Sequence, residues 1–378
     1  MSALSQWIDR RRPTPKAVAF GSIGVYITQN HIHLVQLETL ADGNIGIRAR
    51  ESLAYPGTRA ELIAAPAAIR KLVRRAMRSG NFRGRSVVSA MPPEQVRVMA
   101  VSYPANAAKN EASSIAQLMA DRVDGALSDY VIDYVPIRMG SRDGNQLALV
   151  AISRLDNVNS YLDCLASAGL HIDFLEIGPL AIKRLVEFGP ATNKIDNVLV
   201  INIGGTTSHL TTISGHRLLA DQELQFGEKR VLDAIAKPLD LPTNVAKDLM
   251  LKNGLDSTRN SNGEVDDDVD AETTAILVEI IKPEFLKLVR EIERAFLFAE
   301  SESQGDGQRR IFIVGGMALW PGATALLSSL AKMPVEILGC DHMPFAKNAA
   351  SVETLTDRQA AEMSTAVGLA LRGMSANE

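Results

Sequence analysis

Residues 22–38 read SIGVYITQNHIHLVQLE, and residues 198–224 read VLVINIGGTTSHLTTISGHRLLADQEL. The first stretch is two runs of alternating apolar and polar residues with the turn formers Gln29 and Asn30 between them, the pattern of a hairpin. The second is again strand, turn, strand, turn, strand. A shift of 176 positions lays Tyr26 on Asn202, Thr28 on Gly204 and His33 on His209. Two copies of one unit predict a duplicated α/β fold, two domains facing each other across a cleft.

Outward from the first copy, the run NIGIRARESL adds a third strand after Asp42 and Gly43. A helix is expected over residues 59–78, with Leu62, Ile69, Val73 and Met77 on its apolar side. Residues 86–153 have their own small α/β character: SVVSAM, QVRVMAVSY, YVIDYVPI and QLALVAIS surround one helix near residues 108–123, and the segment reads as an inserted subdomain. A helix over residues 155–168 closed by Gly169, the strand IDFLEI and a helix over residues 179–188 return the chain to the first domain. That domain is therefore expected over residues 20–85 and 154–196, and the second over residues 197–378. The second contains a helical part, about residues 225–305, in which the acidic stretch 262–272 reads as a solvated loop before a long helix through Glu300. IFIVGG, a helix, PVEIL and the final helix STAVGLALRGM end the chain. Residues 1–19 read as a basic tail, with Arg10, Arg11, Arg12 and Lys16 against Asp9, and Pro13 and Pro15 prevent a continuing helix.

Composition narrows the function classes. The 378 residues, 46% apolar and 22% charged, suffice for two or three globular domains and exclude a disordered chain, a disulfide miniprotein and a fibre. With 40 basic and 44 acidic residues, no global positive charge draws the protein to nucleic acid. Cys164 and Cys340 match no zinc, redox or disulfide spacing and read as buried thiols of a reducing compartment. No apolar stretch reaches the ~18 residues of a membrane helix, and the N-terminus lacks the apolar core of a signal peptide, so a cytoplasmic location is expected.

The residues with chemical potential are few. A strand that ends in Gly-Gly beside a helix lets backbone amides approach phosphate or an adenine ring. Gly204-Gly205-Thr206-Thr207-Ser208 and Gly315-Gly316 are two such places, and in a duplicated fold they meet across the cleft. His31 and His33 share a strand face and would need a third converging ligand to hold a metal, so none is expected. Arg70, Lys71, Arg74, Arg75, Arg78, Arg83 and Arg85 form a basic cluster without an acid among them, read either as a solvated face or as a contact for anionic lipid or an acidic partner. No Ser, His and Asp spacing suggests a nucleophilic triad.

From about residue 22 to residue 374 the chain resembles the actin-like, PilM-type proteins of type IV pilus assembly, related to FtsA and to the cytoplasmic part of GspL. The resemblance rests on SVVSAMPPEQVRVMAVSYP followed by a helix and LALVAISRLDNVNSYLDCLASAGL, on IFIVGGMALWPG, on QFGEKRVLDAI and on the ending VGLALRG. It implies a duplicated actin-like (ribonuclease H-like) fold with an inserted FtsA/PilM-type subdomain. It also implies a nucleotide cleft whose contacts fall on Asn202, Gly204, Gly205, Thr206, Thr207, Gly227, Gly315 and Gly316.

Departures from the family pattern fall on one site. The first phosphate loop of the family has Asp, an apolar residue, Gly and Ser, with a basic residue five positions after the Gly; here the register gives Tyr26, Ile27, Thr28, Gln29 and His33. The Asp of the second loop is Asn202, and a third acid aligns with Gly178, leaving Glu176 as the nearest carboxylate. In actin-like ATPases such carboxylates hold the water shell of Mg²⁺. Their replacement implies that hydrolysis is lost or very weak and that no cofactor is required, while ATP with Mg²⁺ stays open as a ligand.

The resemblance further implies a groove between the first domain and the insert that takes the N-terminal cytoplasmic peptide of a PilN-like inner-membrane protein. Ile115, Leu118, Met119 and Arg122 are its candidate wall, with insert core as the competing role for the apolar three. The expected protein is a non-enzymatic scaffold of type IV pilus assembly, or of a pilus-related or type II secretion machine, cytoplasmic and peripheral at the inner membrane of a Gram-negative-type bacterium. Pilus motor ATPases and further copies of itself are additional partners in that reading. The alternative is an ATP-binding switch with slow ATPase activity in the same complex.

Overall fold

The computed structural model describes residues 19–104, 111–137, 145–189, 197–255, 267–302, 308–343, 345 and 355–375. The basic tail before Ala19 and most of the acidic stretch lie outside them. The first hairpin is β1 (Ile23–Ile27) and β2 (His31–Thr39), followed antiparallel by β3 (Ile45–Ala54). β4 (Ser86–Ala90) and β8 (His171–Glu176) add to the other edge in parallel, giving the order β3-β2-β1-β4-β8. The second half repeats this with β9 (Asn197–Ile203), β10 (Ser208–Ser214), β11 (Arg217–Leu224), β12 (Arg309–Val314) and β13 (Val335–Ile337), in the order β11-β10-β9-β12-β13. Strand for strand the two sheets match, so the sequence repeat is a repeat of fold: a duplicated actin-like architecture.

The central strands read as nearly continuous apolar runs because both faces of each sheet are covered. On the first sheet, α1 (Arg59–Ile63), α2 (Pro66–Ser79) and α4 (Leu155–Ser167) bury Leu62, Ile69, Val73, Tyr161 and Leu165 against β1, β2 and β4. Between the sheets lie α5 (Gly178–Phe188) and α10 (Asp357–Ser375). Their Ile182, Leu185, Val367 and Ala370 join Val35 of β2 and Val200 of β9 in one core that ties the halves together. Gly368 permits this close packing, since a Cβ there would stand 2.1 Å from the Ala181 carbonyl oxygen. The outer face of the second sheet is covered by α6 (Glu228–Ala236), α7 (Thr243–Asn253) and α8 (Asp267–Glu302), with α9 (Ala323–Ala331) beside them.

A third, three-stranded sheet, β5-β7-β6, forms the insert from β5 (Arg97–Pro104), β6 (Tyr130–Ile137) and β7 (Asn145–Arg154), with α3 (Glu111–Ala120) on it. Three expectations need correction. The helix expected over residues 59–78 is two helices, because Pro66 lacks the N–H that a continuous helix would use and instead starts α2 at its first turn. SVVSAM does not belong to the insert: β4 pairs in parallel with β1, so the chain leaves the first sheet only after Ala90. The last helix begins at Asp357, seven residues earlier than its apolar ending suggests.

Candidate functional site

The two hairpins present their inner ends to a cavity of about 480 Å³, within the range of small-molecule sites. In β1, Tyr26 pairs with His33 of β2; in β9, Asn202 pairs with His209 of β10. The sequence-expected residues Asn202, Gly204, Gly205, Thr207, Gly315 and Gly316 all line this cavity, as do Tyr26, Thr28 and His33. Thr206 lines the adjoining hollow, and Gly227 stands outside as the N-cap of α6. Gly178 opens α5 on the far side of Tyr26 and Asn202, where it lines a second hollow of about 220 Å³.

The first loop closes on itself, and the second is held by the start of α6. Thr28 donates its amide to the His31 carbonyl at 2.8 Å, and the His31 amide returns a bond to the Thr28 hydroxyl at 3.0 Å. In the second loop, the Gly204 and Gly205 carbonyls accept from the amides of Glu228 and Lys229 at 3.0 and 2.8 Å. The first turn of α6 is therefore capped by the loop and not open to an anion. Across the cleft Gln29 Nε2 donates to Thr206 Oγ1 at 3.3 Å, so the turn of the first hairpin meets the second-half loop. The two glycine loops expected to meet across the cleft, residues 204–208 and Gly315-Gly316, instead lie side by side, because they follow the neighbouring parallel strands β9 and β12 of one sheet. Gly315 has φ +88°, and a Cβ there would lie 2.4 Å from the Ile203 carbonyl oxygen, so only glycine lets this loop close on β9.

Charge at the head of the cleft is the unexpected feature. Arg59, 6% exposed, donates from Nη1 to the Ile27 carbonyl at 3.0 Å and from Nε to Glu94 Oε1 at 2.8 Å, with Nη2 on the other Glu94 oxygen. Burial pushes the Tyr26 hydroxyl up and the Arg59 charge beside it pulls the other way; the net shift is upward, so the phenol stays neutral. Sequence reading missed Arg59, although a cation at the start of a helix opposes the helix dipole and is a usable signal of a tertiary partner. It also missed Lys247 and Trp320, which line the same cavity near Gly315 and Gly316.

The two aligned histidines differ. His33 is buried, its Nδ1 has no partner among the described residues, and burial with His31 beside it lowers its pKa to about 3. His209 is also desolvated, but its Nδ1 lies 2.9 Å from Asp221, and that bond and charge raise its pKa. Thr211 donates to the other Asp221 oxygen at 2.7 Å. In the first half the β3 position corresponding to Asp221 holds Arg50, so no carboxylate supports His33.

These residues do not fit Mg²⁺. A divalent cation on a triphosphate needs anionic oxygen ligands; neither Tyr26, Thr28 nor Asn202 supplies one, and the carboxylates that do line the cavity, Glu228 and Glu362, are paired with Lys247 and Arg358. Glu176 does not substitute: both its oxygens bind Arg184, at 2.8 and 2.9 Å, and Arg184 also donates to the Gly368 carbonyl. No group of three or more potential metal ligands occurs among the described residues, His31 and His33 included.

The candidate groove wall divides. Ile115 and Met119 are each 1% exposed, packed with Val101, Tyr103, Ala148 and Val150 in the core of the insert. They face their own sheet and offer no wall to a partner. Leu118 is partly buried against the same cluster, and Arg122 is exposed, its Nη1 near Met99 Sδ at 3.8 Å.

The sequence pattern of the family described as Type IV pilus assembly protein PilM matches residues 24–374. The chain belongs to the PilM family. Among solved structures it is similar to a PilM-PilN type IV pilus biogenesis complex, with a TM-score of 0.70, 22% identity and coverage of 93% of this chain and 98% of that one. It is similar at TM-score 0.51 to the ethanolamine utilization protein EutJ from Carboxydothermus hydrogenoformans, at 15% identity over 94% and 91% of the two chains. MreB 5 of Spiroplasma citri bound to AMPPNP gives a TM-score of 0.51 at 11% identity over 94% and 96%. At these identities the likenesses establish the actin-like fold, and the family match makes this a PilM-like type IV pilus assembly protein. No helix among the described residues is long and apolar enough to cross a membrane.

Proposed function

We propose that this PilM-family chain is a scaffold that binds the N-terminal cytoplasmic peptide of a PilN-like inner-membrane protein and holds it without turning over Mg²⁺-ATP. One observation carries the second half of this reading: beside Tyr26, where the family resemblance puts an acid, stands the buried guanidinium of Arg59. A fixed cation there repels Mg²⁺ and removes the need for it, while Gly315, Gly316 and Trp320 line the cavity in which the family resemblance puts adenosine. The choice of partner is supported by the likeness to a PilM-PilN complex, a pairing of a PilM protein with PilN. The hollow at the root of the insert, with Met91, Val96, Met99 and Ile182 in its wall, offers apolar anchor points for such a peptide. A location at the cytoplasmic side of the inner membrane follows from that partner.

Melting the purified protein with ATP, with and without Mg²⁺, tests the cleft. A ligand at ~100 times its dissociation constant stabilises the fold by about 2.7 kcal/mol. The scaffold reading expects no Mg²⁺-dependent rise in melting temperature. A clear Mg²⁺-dependent rise would replace it with the ATP-dependent switch.

A further inference from the structure

The helical period of α2 sends Ile69, Val73 and Ala76 into the core of the first domain and leaves Arg70, Lys71, Arg74, Arg75 and Arg78 exposed on the outer side. Arg83 and Arg85, in the loop that follows, are exposed as well. No acidic residue occurs between Glu61 and Glu94. None of the seven forms a salt bridge with a described residue; Arg70 and Arg85 donate to the Ser167 and Gly169 carbonyls at the end of α4. Of the 40 basic residues these are seven, so the other 33 stand against all 44 acidic ones. The charge of this acidic protein is thus segregated, with one face strongly positive. The chain enters the described structure beside that face, since Phe20 lies about 4.0 Å from the position a Gly84 side chain would take. The basic residues Arg10, Arg11, Arg12 and Lys16 precede it in sequence.

We propose that the outer face of α2 docks on an anionic phospholipid surface. The chemistry of the face selects this occupant. Apart from the cations, its floor holds only Ala67 and Ser79, and protein partners draw their affinity from buried aromatic or aliphatic anchors, which are missing. A lipid headgroup layer needs charge alone and attracts each Lys or Arg near its surface. Insertion into the acyl region is excluded, because the apolar side of α2 is already spent on the core. The attachment is therefore electrostatic and salt-sensitive, over the length of α2, about 21 Å at the usual helical rise. Such a contact orients the protein on the membrane independently of any peptide partner.

The test is sedimentation of the full chain with vesicles of phosphatidylcholine containing about one-third phosphatidylglycerol, against vesicles of phosphatidylcholine alone. The expected result is binding to the anionic vesicles only, lost when salt shortens the screening length from about 10 Å to about 3 Å. Lys71→Glu/Arg74→Glu/Arg75→Glu should weaken it more than about tenfold, with an unchanged melting temperature. The corresponding triple Gln variant should fall between, which guards against a folding defect in the charge reversal. Absence of binding, binding that salt leaves intact, or an undiminished charge-reversal variant would overturn the proposal. Capture of poly-glutamate without capture of vesicles would assign the face to an acidic protein and overturn it equally. The experiment uses neither peptide nor nucleotide, so its failure leaves the scaffold reading untouched.

Discussion

Tyr26 occupies in the first half of the molecule the place that Asn202 occupies in the second: each lies on the first strand of its repeat, opposite a histidine of the next, and both face the same cleft. The repeat keeps its backbone register, while neither position carries the acid that the family resemblance implies. Arg59 makes the change hard to reverse, because its guanidinium stands beside Tyr26 and is itself held by Ile27 and Glu94.

Restoring the acids alone should therefore fail. In Tyr26→Asp/Asn202→Asp, the new carboxylate at the first position pairs with Arg59 and is not available to a cation. The double variant is expected to show no Mg²⁺-dependent gain in ATP binding by melting temperature, and adding Arg59→Gln is expected to produce one. A full gain in the double variant would remove Arg59 from the explanation.

The Arg59–Glu94 pair should be asymmetric. Glu94 is 47% exposed and can return to water, so Arg59→Met should cost about 1–3 kcal/mol through the lost hydrogen bonds. Glu94→Met strands a buried guanidinium and should cost more, about 3–5 kcal/mol. Urea unfolding of the two variants checks the order; equal costs would mean that Arg59 reaches solvent.

His33 makes stability fall in mild acid. Its pKa of about 3 in the fold lies far below the 6.5 of the unfolded chain, so below 6.5 only the unfolded state takes up the proton. Between pH 7 and pH 5 this group should remove about 2 kcal/mol, and His33→Asn should flatten that slope. His209 acts in another window: its raised pKa contributes stability below 6.5 that is lost as pH rises through the folded value. Urea unfolding at both pH values separates the two, and an unaltered slope in His33→Asn would show that His33 is protonated in the fold.

The sequence carried the fold because the fold is written twice. The register that pairs Tyr26 with His33 and Asn202 with His209 is the one the 176-residue shift suggests. A feature such as the turn at Gly315 was legible because glycine is demanded there by its positive φ and by the nearby Ile203 carbonyl. What sequence could not give was which side of a helix meets which neighbour. Arg59 looks like one more surface cation until α1 is seen to end the cleft, and Ile115 and Met119 suit a groove wall and a core equally well by spacing. The strand Ser86–Ala90 reads as part of the insert for the same reason, since nothing local tells a strand that its parallel partner is β1.

Ile115→Ala and Met119→Ala should act on the insert's stability, about 2–5 kcal/mol each, as large-to-small changes in a core do. Arg122→Glu should leave stability within about 0.5 kcal/mol and isolate any role in peptide binding. Proteolysis of the insert at fixed temperature distinguishes them; protease resistance in Ile115→Ala equal to the parent would place that residue outside the core.

The central claim is that partner binding does not run through Mg²⁺-ATP. Titration calorimetry of the N-terminal cytoplasmic peptide of the PilN-like protein, into this chain alone and into the chain with millimolar Mg²⁺-ATP, tests it most directly. The account expects binding in both cases, with dissociation constants equal within about twofold, a coupling free energy near zero. Binding only in the presence of Mg²⁺-ATP, or tightened by it about tenfold or more, would contradict the account and make the cleft a working switch.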